Sequence, residues 1–190
     1  MALNRTLKNL HIRNCGITAY GIQRALLHLP QSRLKVLNCS YNDLTGIDGR
    51  CLAQLTGLSA LYLQKTGLCD QELRSLRANL KGYRYLRYLD LQYNSFQTEI
   101  GVFRLAEIVR ANTCLVSLRL SGSLNATPNV QYYDDDHVPN FIVSLMHNSQ
   151  IKNVNLSMAW QDRLQRFNTD KNSRLRLHYN PDREATFGYC

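Results

Sequence analysis

Acidic residues are scarce in this sequence and absent before Asp43. Its 190 residues include 23 Lys or Arg but only 14 Asp or Glu, which gives a formal net charge of +9. Such a surplus favours acidic partners, among them nucleic acid, acidic protein tails and the tubulin surface. Charge alone does not choose among these classes.

Long apolar runs are missing as well. The sequence has no stretch of about 18 apolar residues, which argues against a transmembrane helix. Residues 1–8 lack the apolar core of a signal peptide. We therefore expect an intracellular protein with reduced thiols, either cytoplasmic or part of the cytoskeleton or a cilium. The basic, acid-free start is also typical of an organelle transit peptide, but a structural repeat already begins at Leu7.

The sequence lacks the motifs of familiar catalytic and metal sites. Its six cysteines are scattered and form no C-x-x-C pair, which argues against a zinc site. No P-loop, G-x-S-x-G or H-E-x-x-H segment occurs. We therefore predict a protein that is not an enzyme and that has no catalytic residues, metal or cofactor.

What the sequence does contain is a repeated leucine pattern. Residues 86–96 read L-x-x-L-x-L-x-x-N-x-F, and similar segments begin at residues 7, 34 and 58, with weaker copies at 115, 151 and 172. In each copy the last two leucines flank one residue, so both point to the same side of a short strand. The pattern predicts seven strands whose leucines form the core and whose intervening residues, such as Asp90, face the other way.

Polar residues follow the leucines at a fixed distance. Cys15, Asn42 and Asn94 each lie three residues after the last apolar position of the pattern, which is occupied by Ile12, Cys39 and Leu91. We expect these side chains to satisfy backbone groups of adjacent coils where the chain turns away from the strand. Between the strands, apolar residues at helical spacing predict helices over 18–29, 71–80 and 100–111.

The longest regular segment resembles a known repeat family. Residues 94–120 read N-S-F-Q-T-E-I-G-V-F-R-L-A-E-I-V-R-A-N-T-C-L-V-S-L-R-L, which is similar to the ribonuclease-inhibitor type of leucine-rich repeat. The resemblance covers residues 7–120 well and 121–180 loosely. It implies an α/β leucine-rich-repeat solenoid, a right-handed βα horseshoe of about seven coils with parallel strands on the concave face and helices on the convex face. We expect one domain over 1–180 and a C-terminal tail over 181–190.

Two departures from the regular repeat are candidate contact surfaces. No amphipathic cap precedes the first repeat, so we expect that edge either to dock against a partner or to continue into a larger protein. The second departure is an insert over 125–139, which we predict to be a surface loop that contacts a basic partner. The candidate residues of this loop are Tyr132, Tyr133, Asp134, Asp135 and Asp136.

The strand register also predicts the residues of the concave face. That set is rich in Tyr and Arg, which are enriched at the centres of protein interfaces. The candidate partner-binding residues are His11, Arg13, Tyr41, Tyr62, Lys65, Tyr88, Asp90, Tyr93, Arg119, Arg176 and Tyr179.

These features predict a non-catalytic protein–protein interaction scaffold or adaptor, a structural subunit of a larger assembly such as a ciliary or cytoskeletal complex. An alternative is an RNA-contacting component of a ribonucleoprotein such as an organelle ribosome, because a basic face with tyrosines can grip phosphates and stack bases. A GTPase-activating regulator is a third possibility that the repeat family implies, although no residue motif for that activity is present.

Overall fold

In the described part of the chain, seven short parallel strands form one sheet in chain order. The computed structural model describes residues 6–27, 33–53, 55–80, 83–124, 137–157, 160–161 and 176–178, with only the backbone described at 137–139 and 176–178. The strands are β1 (Asn9–His11), β2 (Val36–Asn38), β3 (Ala60–Tyr62), β4 (Tyr88–Asp90), β5 (Ser117–Arg119), β6 (Asn153–Asn155) and β7 (Arg176–His178).

Helices return the chain from the end of one strand to the start of the next. They are α1 (Ala19–Leu26), α2 (Asp70–Leu80), α3 (Glu99–Ala111) and α4 (His137–His147), while a 3₁₀ helix (Gly49–Cys51) connects β2 to β3. That connection is too short for a full helix. Its Gly49 packs directly on α2, where a Cβ atom would lie 2.7 Å from the carbonyl carbon of Ser75.

The predicted helices are confirmed, and their starts follow from capping. Thr18 is the N-cap of α1 and Thr98 the N-cap of α3, and each hydroxyl accepts a hydrogen bond from the glycine N–H three residues later. An N-cap side chain satisfies one of the N–H groups that have no partner within the helix. Helix α1 therefore starts one residue after the predicted position.

Two predictions in the C-terminal third need correction. Residues 137–139, predicted as the end of the insert loop, form the first turn of α4, where Pro139 is tolerated because first-turn N–H groups lack helical partners. The rest of the insert, with Tyr132, Tyr133, Asp134, Asp135 and Asp136, lies outside the described residues, as does the tail over 181–190.

The register of the last strand is also shifted by two residues. The repeat pattern aligns Leu175 with Val154, but the structure pairs Leu177 with Val154. The backbone of Arg176 therefore pairs with Asn153 rather than with Asn155.

The leucines of the repeat form the core, as predicted. Leu89 and Leu91, which flank Asp90, are fully buried, and the corresponding leucines of β3 and β5 are buried as well. Full burial of one such side chain contributes about 1.5–3 kcal/mol. In β1, by contrast, Leu10 and Ile12 are only partly buried, because no strand of the described residues pairs with its outer side.

Buried polar side chains hold the turns that follow the strands. The amide nitrogen of Asn94 donates to the carbonyls of Leu63 and Leu91, each at 2.8 Å. Its amide oxygen accepts from the backbone N–H groups of Thr66 and Leu68, each at 3.1 Å. One side chain thus satisfies backbone groups of two consecutive coils at the point where sheet pairing ends.

Asn42 plays the same part between the first two coils. Its amide nitrogen donates to the carbonyls of Ile12 at 2.7 Å and Cys39 at 2.8 Å. Its oxygen accepts from the N–H groups of Cys15 at 3.0 Å and Ile17 at 3.1 Å. The role predicted for the repeated asparagine is therefore confirmed.

Hydroxyl groups take this role where the asparagine is missing. The Thr66 hydroxyl donates to the carbonyl of Leu63 at 2.9 Å. The Ser123 hydroxyl donates to the carbonyl of Leu91 and accepts from the N–H of Asn94 at 2.9 Å. Asn42, Thr66, Asn94 and Ser123 thus form a continuous buried row, which we call the polar ladder.

Replacing Asn94 with Ala is expected to lower the free energy of unfolding by about 3 kcal/mol, because the N–H groups of Thr66 and Leu68 lose their buried acceptor and two carbonyls lose a donor. Urea unfolding followed by circular dichroism measures the change. Asn79→Ala is the matched control, since Asn79 is only half-buried on α2 and bonds the carbonyl of Ser75 in its own helix. Equal losses in the two variants would contradict the role of the ladder.

Candidate functional site

The sheet has a second face, formed by the strand residues that alternate with the core leucines. The first and third residues of strands β1 to β6 point to this face, and the turns that follow these strands border it. We call it the open face. Its described side chains include Asn9, His11, Arg13, Asn38, Tyr41, Tyr62, Lys65, Tyr88, Asp90, Gln92, Tyr93, Ser117, Arg119, Asn153 and Asn155.

One residue in each turn beside the open face has a left-handed backbone. The φ angles are 52° at Asn14, 62° at Tyr41, 50° at Lys65, 55° at Tyr93 and 69° at Gly122. Each of these residues stands immediately before the residue at the ladder position, so the same turn recurs in five coils. A left-handed conformation costs a non-glycine residue about 1–2 kcal/mol, yet three of the five carry large side chains.

Two cations lie against one aromatic ring beside these turns. The guanidinium carbon of Arg13 lies 4.4 Å from the ring centroid of Tyr41, and the Nζ atom of Lys65 lies 6.0 Å from the same centroid. Cation–π attraction at such distances is worth about 0.5–1 kcal/mol at an exposed site. The stack therefore connects side chains from three consecutive coils.

The ring of Tyr93 is held in place from the next coil. A Cβ atom at Gly122 would lie 2.6 Å from Cδ1 of Tyr93, so the ring sits directly on the glycine backbone. A ring that is already ordered loses less conformational entropy when a partner binds. The packing of Tyr93 thus favours a role as a contact residue.

A buried carboxylate lies near the middle of the open face. Asp90 is only 3% exposed, and its Oδ1 accepts the backbone N–H of Gln92 at 3.1 Å. Its Oδ2 lies 3.2 Å from Nη1 of Arg119. Burial raises the pKa of Asp90, although the Gln92 N–H and the charges of Arg119 and Arg13 act in the opposite direction. When burial raises the pKa of a carboxyl group, ionising that group lowers the stability of the folded state.

The predicted site residues differ in how accessible they are. Asp90, predicted as a partner-binding residue, is only 3% exposed, whereas the side chain of its ion-pair partner Arg119 is 47% exposed. The exposed members of the predicted set are His11, Arg13, Lys65, Tyr88 and Arg119, and the half-buried ones are Tyr41, Tyr62 and Tyr93. The backbone of Arg176 pairs with Asn153, and Tyr179 lies outside the described residues.

Sequence reasoning missed one contact that joins distant coils of this face. The side-chain nitrogen of Gln92 donates to Oδ1 of Asn155 at 2.9 Å and so spans the coil that contains β5. The strand register places both residues on the same face, but it carries no signal for a bond that passes over an intervening strand. This bond fixes both amide groups in the same region as Asp90.

Other kinds of site find little support in the described part of the chain. Those residues contain no cluster of His, Cys, Asp or Glu that could hold a metal ion. None of the helices there has the length and apolar character needed to cross a membrane. Burial raises the pKa of the Cys39 thiol to about 12, which disfavours the reactive thiolate.

Comparison with known proteins agrees with this architecture. A family model described as Leucine Rich Repeat matches residues 33–55, and a second, described as Leucine Rich repeat, matches residues 3–23. No curated protein sequence matches significantly. Among solved structures, "Leiomodin-1 Actin-Binding Site 2 (ABS2)" is similar with a TM-score of 0.52 and 14% identity, over 84% of this chain and 79% of that chain. At that identity the likeness shows a common fold, and the family models identify leucine-rich repeats at residues 3–23 and 33–55.

Proposed function

We propose that this chain is a non-catalytic scaffold that binds a protein partner on the open face. Leucine-rich repeats typically serve as protein-interaction modules. The observation that carries the proposal is the use of Tyr41, Lys65 and Tyr93 at left-handed turn positions. Gly122 occupies the same position in the next coil without the steric cost, so the large side chains are retained for a reason other than the stability of the turn.

The chemistry of these side chains supports a protein partner. Tyrosine and arginine supply most of the binding energy at many protein interfaces, where rigid rings fill pockets of the partner. Here Tyr41 and Tyr93 are half-buried and held by neighbours, while Arg13 and Arg119 are exposed beside them. The open face thus combines ordered rings with accessible cations.

The shape and class of the solenoid belong to the same proposal. We infer a horseshoe of about seven coils of the ribonuclease-inhibitor-like class, in which the open face is the concave face. Gly101 occupies the glycine position of that repeat pattern. A Cβ atom there would lie 1.9 Å from one oxygen of the Asp70 carboxylate, and the other oxygen accepts the N–H of Thr98 at 3.0 Å. A larger residue at position 101 would clash with Asp70, so the packing of this chain requires the glycine that the repeat pattern contains.

We further propose that the scaffold is a subunit of a larger intracellular assembly, with a cytoskeletal or ciliary complex as the first candidate. The similar leiomodin-1 structure is named as an actin-binding site, which makes filamentous actin a defined partner to test by co-sedimentation. An RNA-contacting role is the second candidate, favoured by the net charge of +9. Ribonuclease treatment and a salt titration distinguish the two.

Tyr93→Ala is expected to reduce recovery of the protein partner about tenfold or more, because truncation of a central interface tyrosine often costs about 2 kcal/mol. Affinity capture of the tagged chain from its native cells, quantified by mass spectrometry, measures the effect. Tyr20→Ala is the matched control, since Tyr20 is 71% exposed on α1, away from the open face. The proposal fails if both variants recover the same proteins in the same amounts, or if ribonuclease abolishes recovery.

Asp90→Asn removes the buried charge but keeps an acceptor for the N–H of Gln92. Burial raises the pKa of Asp90 in the folded state above 3.8. The protonated carboxyl therefore stabilises the fold at a pH below 3.8, and this stabilisation is lost as the pH rises through the folded pKa. We expect Asp90→Asn to be at least as stable as the wild type at neutral pH. Unfolding in urea at acidic and neutral pH measures this.

The same variant is expected to weaken partner binding several-fold, because Arg119 loses the carboxylate that orients it. Titration of the purified partner against wild type and variant measures the affinity. Lower stability of Asp90→Asn at neutral pH with unchanged affinity would show that Asp90 serves the fold rather than the binding face.

A further inference from the structure

A second surface lies where the chain begins each strand. The residue immediately before each strand contributes to it, and backbone hydrogen bonds join these residues from coil to coil. For example, Lys35 donates to the carbonyl of Lys8 at 2.6 Å, and Val116 to the carbonyl of Arg87 at 2.8 Å. The resulting strand-start row consists of Lys8, Lys35, Ser59, Arg87, Val116 and Lys152, with neighbours about 4.8 Å apart.

The strand-start row is basic and accessible. Its four cations are exposed, and so are Arg33 and Arg84 beside them. None of these six side chains forms an ion pair with a carboxylate in the described part of the chain. Tyr85 lies next to the row and is 62% exposed, with its ring centroid 5.5 Å from Nζ of Lys35.

The described carboxylates are concentrated at the opposite edge of the sheet, where the chain leaves the strands. Most of them are turned onto backbone N–H groups: Asp43 accepts from Thr45 at 3.1 Å, Asp48 from Arg50 at 2.9 Å and Glu72 from Cys69 at 2.8 Å. Three described carboxylates form ion pairs, none with the strand-start row: Asp48 with Arg50, Asp90 with Arg119 and Glu107 with Arg77. Among the described residues, the charges at the strand-start edge therefore add without a neutralising carboxylate beside them.

We propose that the strand-start row is a docking surface for an acidic segment of a protein partner, separate from the open face. An extended polypeptide advances about 3.3 Å per residue, so carboxylates on alternate residues lie about 6.6 Å apart and can reach cations one or two coils apart along the row. Tyr85 adds apolar contact area beside the cations. This surface does not depend on what binds the open face.

Two features favour an acidic polypeptide over single-stranded nucleic acid. Nucleic-acid grooves combine a continuous track of cations with aromatic faces free to stack on bases. Here Val116 interrupts the track, and the ring of Tyr85 already has the ammonium group of Lys35 near its face. Carboxylates of a peptide need only the cations, and the neutral residues Ser59 and Val116 on either side of Arg87 do not prevent such contacts.

Charge reversal tests the proposal directly. The probe is a short, fluorophore-labelled peptide of alternating Glu and Gly, and binding to the full chain is followed by fluorescence anisotropy at low salt. Arg87→Glu is expected to weaken binding about fivefold or more, since it removes an attraction and adds a repulsion. Arg74→Glu is the matched control, because Arg74 is exposed on α2 away from the row and the change in net charge is identical. We expect it to change binding less than about twofold.

The possible outcomes distinguish a specific site from an effect of net charge and from nucleic-acid binding. A loss specific to Arg87→Glu, with circular dichroism unchanged, supports the strand-start row, and Arg87→Lys should then retain most of the binding. Equal losses in Arg87→Glu and Arg74→Glu would show an effect of net charge and overturn the proposal. An oligouridylate that binds more tightly than the peptide and displaces it would also overturn the proposal, in favour of nucleic acid. The open-face variant Tyr93→Ala should leave peptide binding unchanged.

Discussion

The structure depends on satisfying buried backbone groups at the turn after each strand. Strands of three residues pair for only a short distance, so the chain turns away from the sheet while its N–H and C=O groups are still inside the protein. Unsatisfied groups there would cost about 1–3 kcal/mol each. The polar ladder removes this cost, with Asn42 and Asn94 each bridging four backbone groups of two coils.

The same constraint determines what the open face presents. Because each residue at the ladder position must point inward, the residue before it takes a left-handed backbone and its side chain borders the open face. Tyr41, Lys65 and Tyr93 therefore occupy equivalent positions in successive coils. The ladder thus stabilises the fold and also spaces the side chains that we propose to contact a partner.

The sequence predicted the parts of this structure that repeat. Leucine spacing indicated which side of each strand is buried, and the recurring asparagine indicated the ladder. The role of Ser123 in the polar ladder was missed because serine does not match the asparagine of the repeat pattern, although its hydroxyl donates to the carbonyl of Leu91 as Asn94 does. The repeat pattern carried no signal for the burial of Asp90 or for its contact with Arg119 from the next coil. It favoured Leu175 over Leu177 as the partner of Val154, so the register of β7 was missed as well. The curvature of the solenoid and the ribonuclease-inhibitor-like class remain predictions.

Hydroxyl-radical footprinting of the complex tests the central claim most directly, because it reports the solvent exposure of each tyrosine side chain. The chain would be labelled alone and with its captured partner, and modification would be quantified by residue. We expect the partner to protect Tyr88 and Tyr93 on the open face and to leave Tyr20 on α1 unchanged. Protection of Tyr20 with no change at Tyr88 and Tyr93 would place the partner on the helices and contradict the account.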